Sequence, residues 1–174
     1  VLTVNTRSYK VTPSSGSNGS INPSSVQTVI SGSKTSFTVA PNSGYTTSVG
    51  GTCSGTLSNN TYTTAAITAD CTVVASFAPC TYSLSQTNNS IAYGGGSGSV
   101  SVNASNSSCS WTAASNVNWI TKTSGGGNGN GSVSYSVAAN TSTSTRQGTM
   151  TIAGQTFTIN QAAAPVPIPS RSTS

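Results

Sequence analysis

Apolar and polar residues alternate along several segments between Cys80 and Gln161. A period of two places one row of side chains in a core and the other in water, as in a half-buried antiparallel strand. Gly, Asn and Ser separate these segments, and none of them shows a helical period. We therefore predict an all-β chain and a β-sandwich in this region. The inward rows would be Val100 and Val102; Val133, Tyr135 and Val137; Met150 and Ile152; and Phe157 and Ile159.

The residues before Cys80 show a different spacing of short predicted strands, so we divide the chain there. Residues 1–8 are an N-terminal strand or linker, 9–79 a first small β module, 80–162 the sandwich, and 163–174 a Pro/Ser-rich tail. Alternating prolines favour an extended conformation for that tail. Within the first module the strands are predicted at 9–13, 26–30, 35–40, 45–49, 62–67 and 71–77, with a hairpin through 31–34 and a turn at 41–44.

The composition excludes most catalytic chemistry. The chain has no His, and Asp70 is its one carboxylate side chain. Paired-carboxylate hydrolysis needs two acids, a Ser-His-Asp arrangement needs an imidazole, and calcium sites draw on several carboxylates. We predict that the protein is not an enzyme and holds no metal or cofactor. Only 4% of residues are charged, whereas disordered chains are usually highly charged, so a folded chain is expected.

The charge of +5 is scattered along the chain, with no two cations adjacent. Nucleic-acid binding depends on clustered cations that release counterions from phosphates, so no nucleic-acid partner is predicted. No apolar run reaches the length of a membrane span, so no span is predicted. The first residue, Val1, indicates a processed protein or a fragment.

The four cysteines indicate an oxidising, extracellular location. They show none of the Cys-x-x-Cys spacings of zinc sites, and their number is even. Three pairings are possible. If the chain divides near residue 79, Cys53–Cys71 and Cys80–Cys109 each stay within a module, and we predict those two. Each closed loop would then stabilise its module by ~3 kcal/mol.

The first module resembles the bacterial surface repeat related to the internalin B-repeat, over residues 9–78. The resemblance implies a small β-rich module used for spacing or adhesion, and it implies a bridge between Cys53 and Cys71. The residues that carry it include Tyr9-x-Val-x-Pro, Gly19-Ser-Ile-x-Pro, Phe37-Thr-Val-x-Pro-x-x-Gly-Tyr, Val49-Gly-Gly-Thr-Cys and Cys71-Thr-Val-x-Ala-x-Phe.

Residues 80–162 resemble the BACON domain, a bacterial immunoglobulin-like β-sandwich. The resemblance implies that sandwich and, through the role proposed for the family, carbohydrate binding. It rests on Cys80-x-Tyr-Ser, Gly94-Gly-Gly-Ser-Gly-Ser-Val-Ser-Val, Cys109-Ser-Trp-Thr-Ala, Trp119-Ile, Gly131-x-Val-x-Tyr-x-Val-Ala-x-Asn and Arg146-x-Gly-Thr-Met.

Two aromatic residues are candidates for glycan binding. Exposed indole and phenol rings can stack on the apolar face of a sugar, and Trp119 and Tyr93 are our predicted carbohydrate-binding residues. Trp111 follows Cys109 by two positions and is predicted to pack in the core.

Self-assembly is the function that the sequence favours. The apolar residues of the two ends, Val1, Leu2, Val4, Val166 and Ile168, could add a strand to a sheet edge of a neighbouring copy and build a filament. The partners would be copies of this chain or neighbouring surface modules. A carbohydrate-binding or adhesion module is the alternative, with glycan as the partner.

Overall fold

A computed structural model describes residues 7–167, and all regular secondary structure within this range is β-strand. The all-β prediction is confirmed. The chain folds as two units, Val1–Cys80 and Thr81–Ser174. Each unit has its own core of buried side chains.

The first unit contains two four-stranded sheets. One has the order β3-β1-β8-β5 and the other has the order β2-β4-β7-β6. In the first sheet β1 pairs in parallel with β8, and Val11 lies opposite Cys71. The strands are β1 (Ser8–Ser15), β2 (Gly19–Asn22), β3 (Gln27–Ile30), β4 (Ser36–Pro41), β5 (Tyr45–Gly50), β6 (Gly55–Ser58), β7 (Thr61–Thr64) and β8 (Cys71–Pro79).

The hairpin predicted through residues 31–34 is wrong. Strand β3 pairs with β1, whereas β4 pairs with β2 and β7 in the other sheet. The segment between them crosses from one sheet to the other, and Ile67 exchanges backbone hydrogen bonds of 2.8 Å with it, accepting from Gly32 and donating to Ser33. Val29 and Phe37 are both buried, so each strand contributes a side chain to the shared core from its own sheet.

The first unit is cross-linked between Cys53 and Cys71, whose Cα atoms lie 5.1 Å apart. This predicted pairing is therefore confirmed. Beside it, the buried Tyr62 hydroxyl donates a 2.7 Å hydrogen bond to the Cys53 carbonyl. Burial raises the pKa of the Tyr62 hydroxyl, which keeps the proton that this hydrogen bond requires.

Replacing both cysteines, Cys53→Ala with Cys71→Ala, should lower the free energy of unfolding of the first unit by ~3 kcal/mol. The bridge closes a loop with a sequence separation of 18 residues, and opening it restores chain entropy to the unfolded state. Urea unfolding followed by backbone amide NMR signals of β1 and β8 would measure the loss. Unchanged midpoints would contradict a stabilising role for this bridge.

Cys80 and Cys109 are also disulfide-bonded, and no described cysteine is a free thiol. Their predicted pairing with each other stays a prediction.

The second unit is a sandwich of two four-stranded sheets with a short two-stranded addition. The sheet orders are β10-β18-β17-β13 and β14-β16-β11-β9, and β12 pairs with β15. The strands are β9 (Tyr82–Leu84), β10 (Asn88–Ile91), β11 (Gly96–Ala104), β12 (Ser110–Trp111), β13 (Ala113–Ser115), β14 (Ile120–Ser124), β15 (Gly127–Asn128), β16 (Gly131–Val137), β17 (Arg146–Ile152) and β18 (Gln155–Gln161).

The alternating residues of the second unit form its core, as the period of two predicts. Rings from the two sheets meet there, and the centroids of Tyr135 and Phe157 lie 5.6 Å apart. All nine residues of the predicted inward rows are buried, together with Trp111, Ala113 and Ile120. The immunoglobulin-like sandwich is confirmed for this unit.

Candidate functional site

Two polar side chains continue the inward rows of β17 and β18 at the end of the sandwich. Arg146 precedes Gly148 and Met150 on the inward side of β17, and Gln161 follows Phe157 and Ile159 on β18. The two residues lie directly opposite each other in the antiparallel register. Gln161 is only 1% exposed, and Arg146 is half-buried. The core therefore ends in a polar pair instead of an apolar one.

Hydrogen bonds hold the Arg146 guanidinium in one orientation. Its Nε donates to Gln161 Oε1 at 2.8 Å. Its Nη2 donates to the carbonyl oxygens of Ala138 at 2.8 Å and Ala139 at 3.1 Å. The two N–H groups of Nη1 have no acceptor among the described residues.

The guanidinium also stacks on Trp119, with its central carbon 4.2 Å from the centroid of the ring. Trp119 is half-buried and packs against the core of the second unit. A Cβ atom at Gly148 would lie 2.6 Å from Cζ2 of this indole, so only glycine leaves room for the ring. One face of Trp119 is thus covered by Arg146. Stacking of a sugar on Trp119 stays a prediction. Such a sugar would have to contact the part of the ring that Arg146 does not cover.

Tyr93, the second predicted glycan-binding residue, joins the same hydrogen-bond network through its backbone carbonyl. Gln161 Nε2 donates to the carbonyl oxygens of Ala92 and Tyr93 at 3.2 Å and of Ala138 at 2.9 Å. The Asn140 backbone N–H also donates to the Tyr93 carbonyl, at 2.7 Å. The Tyr93 side chain is 47% exposed. The fold therefore connects Trp119 and Tyr93 through one polar network.

An open cleft of about 590 Å³ lies beside this network. On its outer side Gln147 Nε2 donates to Asn160 Oδ1 at 2.8 Å. This hydrogen bond orients both amides and leaves Gln147 Oε1 and Asn160 Nδ2 without a partner in the described chain. The cleft is lined by Ser90, Ile91, Thr145, Arg146, Gln147, Asn160, Gln161 and Ala162.

The cleft is lined by groups that form hydrogen bonds. Its polar groups are amides, hydroxyls and a guanidinium, which donate and accept hydrogen bonds. Among residues 7–167, no three His, Cys, Asp or Glu side chains cluster as metal ligands would. In the same range, no helix is long and apolar enough to cross a bilayer.

Trp111, by contrast, belongs to the core and not to a site. It is buried, and its Nε1 donates a 2.7 Å hydrogen bond to the Gly129 carbonyl. The glycine-rich loop around Gly129 therefore packs on this indole.

The predicted assembly residues fall mostly outside the described range. Val1, Leu2, Val4 and Ile168 lie outside residues 7–167. Val166 lies inside it and is 72% exposed. Their role in assembly stays a prediction.

Arg146, Gln161, Asn140 and the two cleft amides were not among the predicted site residues. A signal for two of them is present in the sequence. Arg146 and Gln161 occupy positions at which the alternation predicts an inward-facing side chain, yet both residues are polar. Polar residues at inward positions are usually paired and structural or functional.

Comparisons with known proteins agree with the two resemblances. Residues 9–81 match the family model "Divergent InlB B-repeat domain", and residues 110–162 match BACON, described as "Putative binding domain, N-terminal". Both predicted resemblances are confirmed. These are models of repeat or binding modules and not of catalytic families.

Among solved structures, the chain is similar to a Bacteroides ovatus GH5 xyloglucanase in complex with a XXXG heptasaccharide. The match has 18% identity and a TM-score of 0.43. It covers 52% of this chain and only 20% of the xyloglucanase chain. No curated protein matches this sequence.

Proposed function

We propose that this pairing of a B-repeat-like module with a BACON-like module is a non-catalytic adhesive part of a bacterial surface protein. The second unit binds glycan in the cleft beside Arg146, and the first unit serves as a spacer. The observation that carries the proposal is the set of oriented, unpartnered amide groups in that cleft. Disulfide-bonded cysteines in both units support an extracellular location.

Sugar hydroxyls donate and accept hydrogen bonds, so a glycan site must offer both kinds of group. Gln147 Oε1 is an acceptor and Asn160 Nδ2 is a donor, and the 2.8 Å bond between the two side chains holds them in place. Because these two side chains are already ordered, they lose less entropy when a ligand binds. Ile91 and Ala162 add apolar surface to the same cleft, which suits the C–H face of a sugar ring.

Replacing both amides, Gln147→Ala with Asn160→Ala, should weaken glycan binding about tenfold or more. Two neutral hydrogen bonds are lost, each worth roughly 0.5–1.5 kcal/mol. A glycan array would first identify a ligand of the wild-type protein, and titration calorimetry would then measure its dissociation constant for each variant.

The matched control is Gln155→Ala with Thr156→Ala, two exposed residues at the other end of β18. These changes should leave the dissociation constant unchanged. Equal binding by wild type and the cleft variant would show that glycan binds elsewhere, and absence of any glycan ligand would overturn the proposed function.

Assembly by strand addition is a second candidate, favoured by the composition of the sheet edges. Exposed edge strands usually carry charges that prevent pairing with other chains. Here, of the eight outer strands of the four larger sheets, only β14 contains a charged residue, Lys122. The other seven are β2, β3, β5, β6, β9, β10 and β13.

Deleting residues 1–5 or 163–174 should leave folded monomers if the ends supply the added strand. Electron microscopy and analytical ultracentrifugation of the full chain and of both deletions would measure this. Filaments that persist in both deletions would contradict strand addition by the ends, and a monomeric full chain would leave glycan binding as the function.

A further inference from the structure

We infer that the cleft beside Arg146 takes an anionic sugar residue, one that bears a carboxylate or a sulfate. This inference rests on the proposed glycan-binding function and adds the chemical class of the ligand. Three features of the second unit support it: an uncompensated charge, unused guanidinium donors, and a cleft free of acidic groups.

The first feature is that no acidic side chain among the described residues pairs with Arg146. The sequence has one carboxylate side chain, Asp70. Asp70 belongs to the first unit, where its Oδ1 accepts a 2.8 Å hydrogen bond from the backbone N–H of Lys10. Arg146 is half-buried, so its charge has lost part of its hydration. Carbonyl oxygens offset this loss only in part, and an anion would compensate the charge.

The second feature is a pair of donors left over at a fixed position. A guanidinium has five N–H donors, and the described bonds of Arg146 use Nε and Nη2 only. Nη1 keeps both of its donors for a ligand. The stack on Trp119 and the bond to Gln161 already hold the group in place. An anion therefore meets an ordered cation, and binding requires little further loss of side-chain entropy.

The third feature is the composition of the cleft around that cation. Neither Asp nor Glu lines it, so no like charge would repel an anion. The oriented amides of Gln147 and Asn160 can hold the hydroxyls of the same sugar. A cation beside hydroxyl-binding amides is the combination that an acidic sugar requires, because both its charge and its hydroxyls need partners.

The test compares ligands that differ only in charge. Oligogalacturonate and its fully methyl-esterified form share one backbone, and dextran sulfate and dextran form a second pair for the sulfate case. Titration calorimetry at low ionic strength should show at least tenfold tighter binding of one anionic member than of its neutral partner. Added salt should reduce this preference, because it screens the charge.

Two pairs of variants locate the effect. Arg146→Gln should abolish the preference for the anion. Lys122→Gln, which removes the same charge from an exposed side chain of the same unit whose Nζ donates to Gly125, should keep it.

The second pair covers the case in which Arg146→Gln does not fold. Gln147→Glu places a negative charge in the cleft without touching the Arg146 hydrogen bonds, and it should reduce the preference for the anionic member over its neutral partner tenfold or more. Thr156→Glu adds the same charge at the far end of β18 and should have little effect.

Equal affinity for the charged and neutral members of both pairs would overturn the inference and leave glycan binding in place. A preference lowered equally by Lys122→Gln and Arg146→Gln, or by Thr156→Glu and Gln147→Glu, would indicate general attraction to a basic protein and would also overturn it. If no ligand of either pair binds, the inference fails; if an array also finds no glycan ligand, the proposed function fails as well.

Discussion

Replacing Phe157 with alanine is expected to destabilise the second unit by about 3–5 kcal/mol. Phe157 is fully buried at the centre of β18, and its ring packs on Tyr135 at a centroid distance of 5.6 Å. The change removes this contact and leaves a cavity between the two sheets. Domains of this size are usually stable by only about 5–15 kcal/mol, so the loss is a large part of the total.

Tryptophan fluorescence during urea unfolding measures this loss in the second unit alone, because Trp111 and Trp119 are the only tryptophans of the chain. Thr156→Ala changes the neighbouring residue, whose side chain is exposed, and should shift the midpoint very little. A Phe157→Ala midpoint equal to that of the wild type would contradict the packing described for β18.

The substitution Gln161→Leu should lower the free energy of unfolding of the second unit by about 3–5 kcal/mol, although leucine has a similar size. Gln161 is 1% exposed, donates to three backbone carbonyls and accepts from Arg146 Nε. Leucine would remove these hydrogen bonds, each worth roughly 0.5–1.5 kcal/mol, and would leave Arg146 Nε without its described acceptor. The three carbonyls would each keep one other donor, from Gly95, Asn140 and Arg146.

Gln155→Leu is the matched control, since it makes the same change at an exposed position of the same strand. It should alter the free energy of unfolding by less than about 0.5 kcal/mol. The same urea titration measures both variants. A Gln161→Leu protein as stable as the wild type would mean that water replaces the lost hydrogen bonds, and the polar network would then not be a structural unit.

The core of the second unit could be predicted from its sequence because alternation is a local signal. Residues such as Val100 and Met150 need only their neighbours along the chain to show which side they face. The crossing between β3 and β4 could not be predicted this way. A short Gly/Ser-containing link joins strands within one sheet or between two sheets, and the choice depends on where β1 and β7 lie.

The candidate site was harder to predict because it is built from distant segments. Gln161 reaches Ala92 across 69 positions of the sequence, and no local pattern reports such a contact. Trp119 was predicted as a possible stacking surface from its residue type alone. Its contact with Arg146 depends on how the start of β17 meets the segment before β14, which alternation does not determine.

The parallel pairing of β1 with β8 has a consequence for a spacer that is pulled along its length. These are the first and last strands of the first unit, and they run in the same direction over the register from Val11–Cys71 to Ser15–Ala75. Tension applied at the two ends of the unit would draw the strands past each other along their axes. The backbone hydrogen bonds between them would then be loaded together instead of opening one after another. In the proposed role of a spacer, this arrangement would resist mechanical extension.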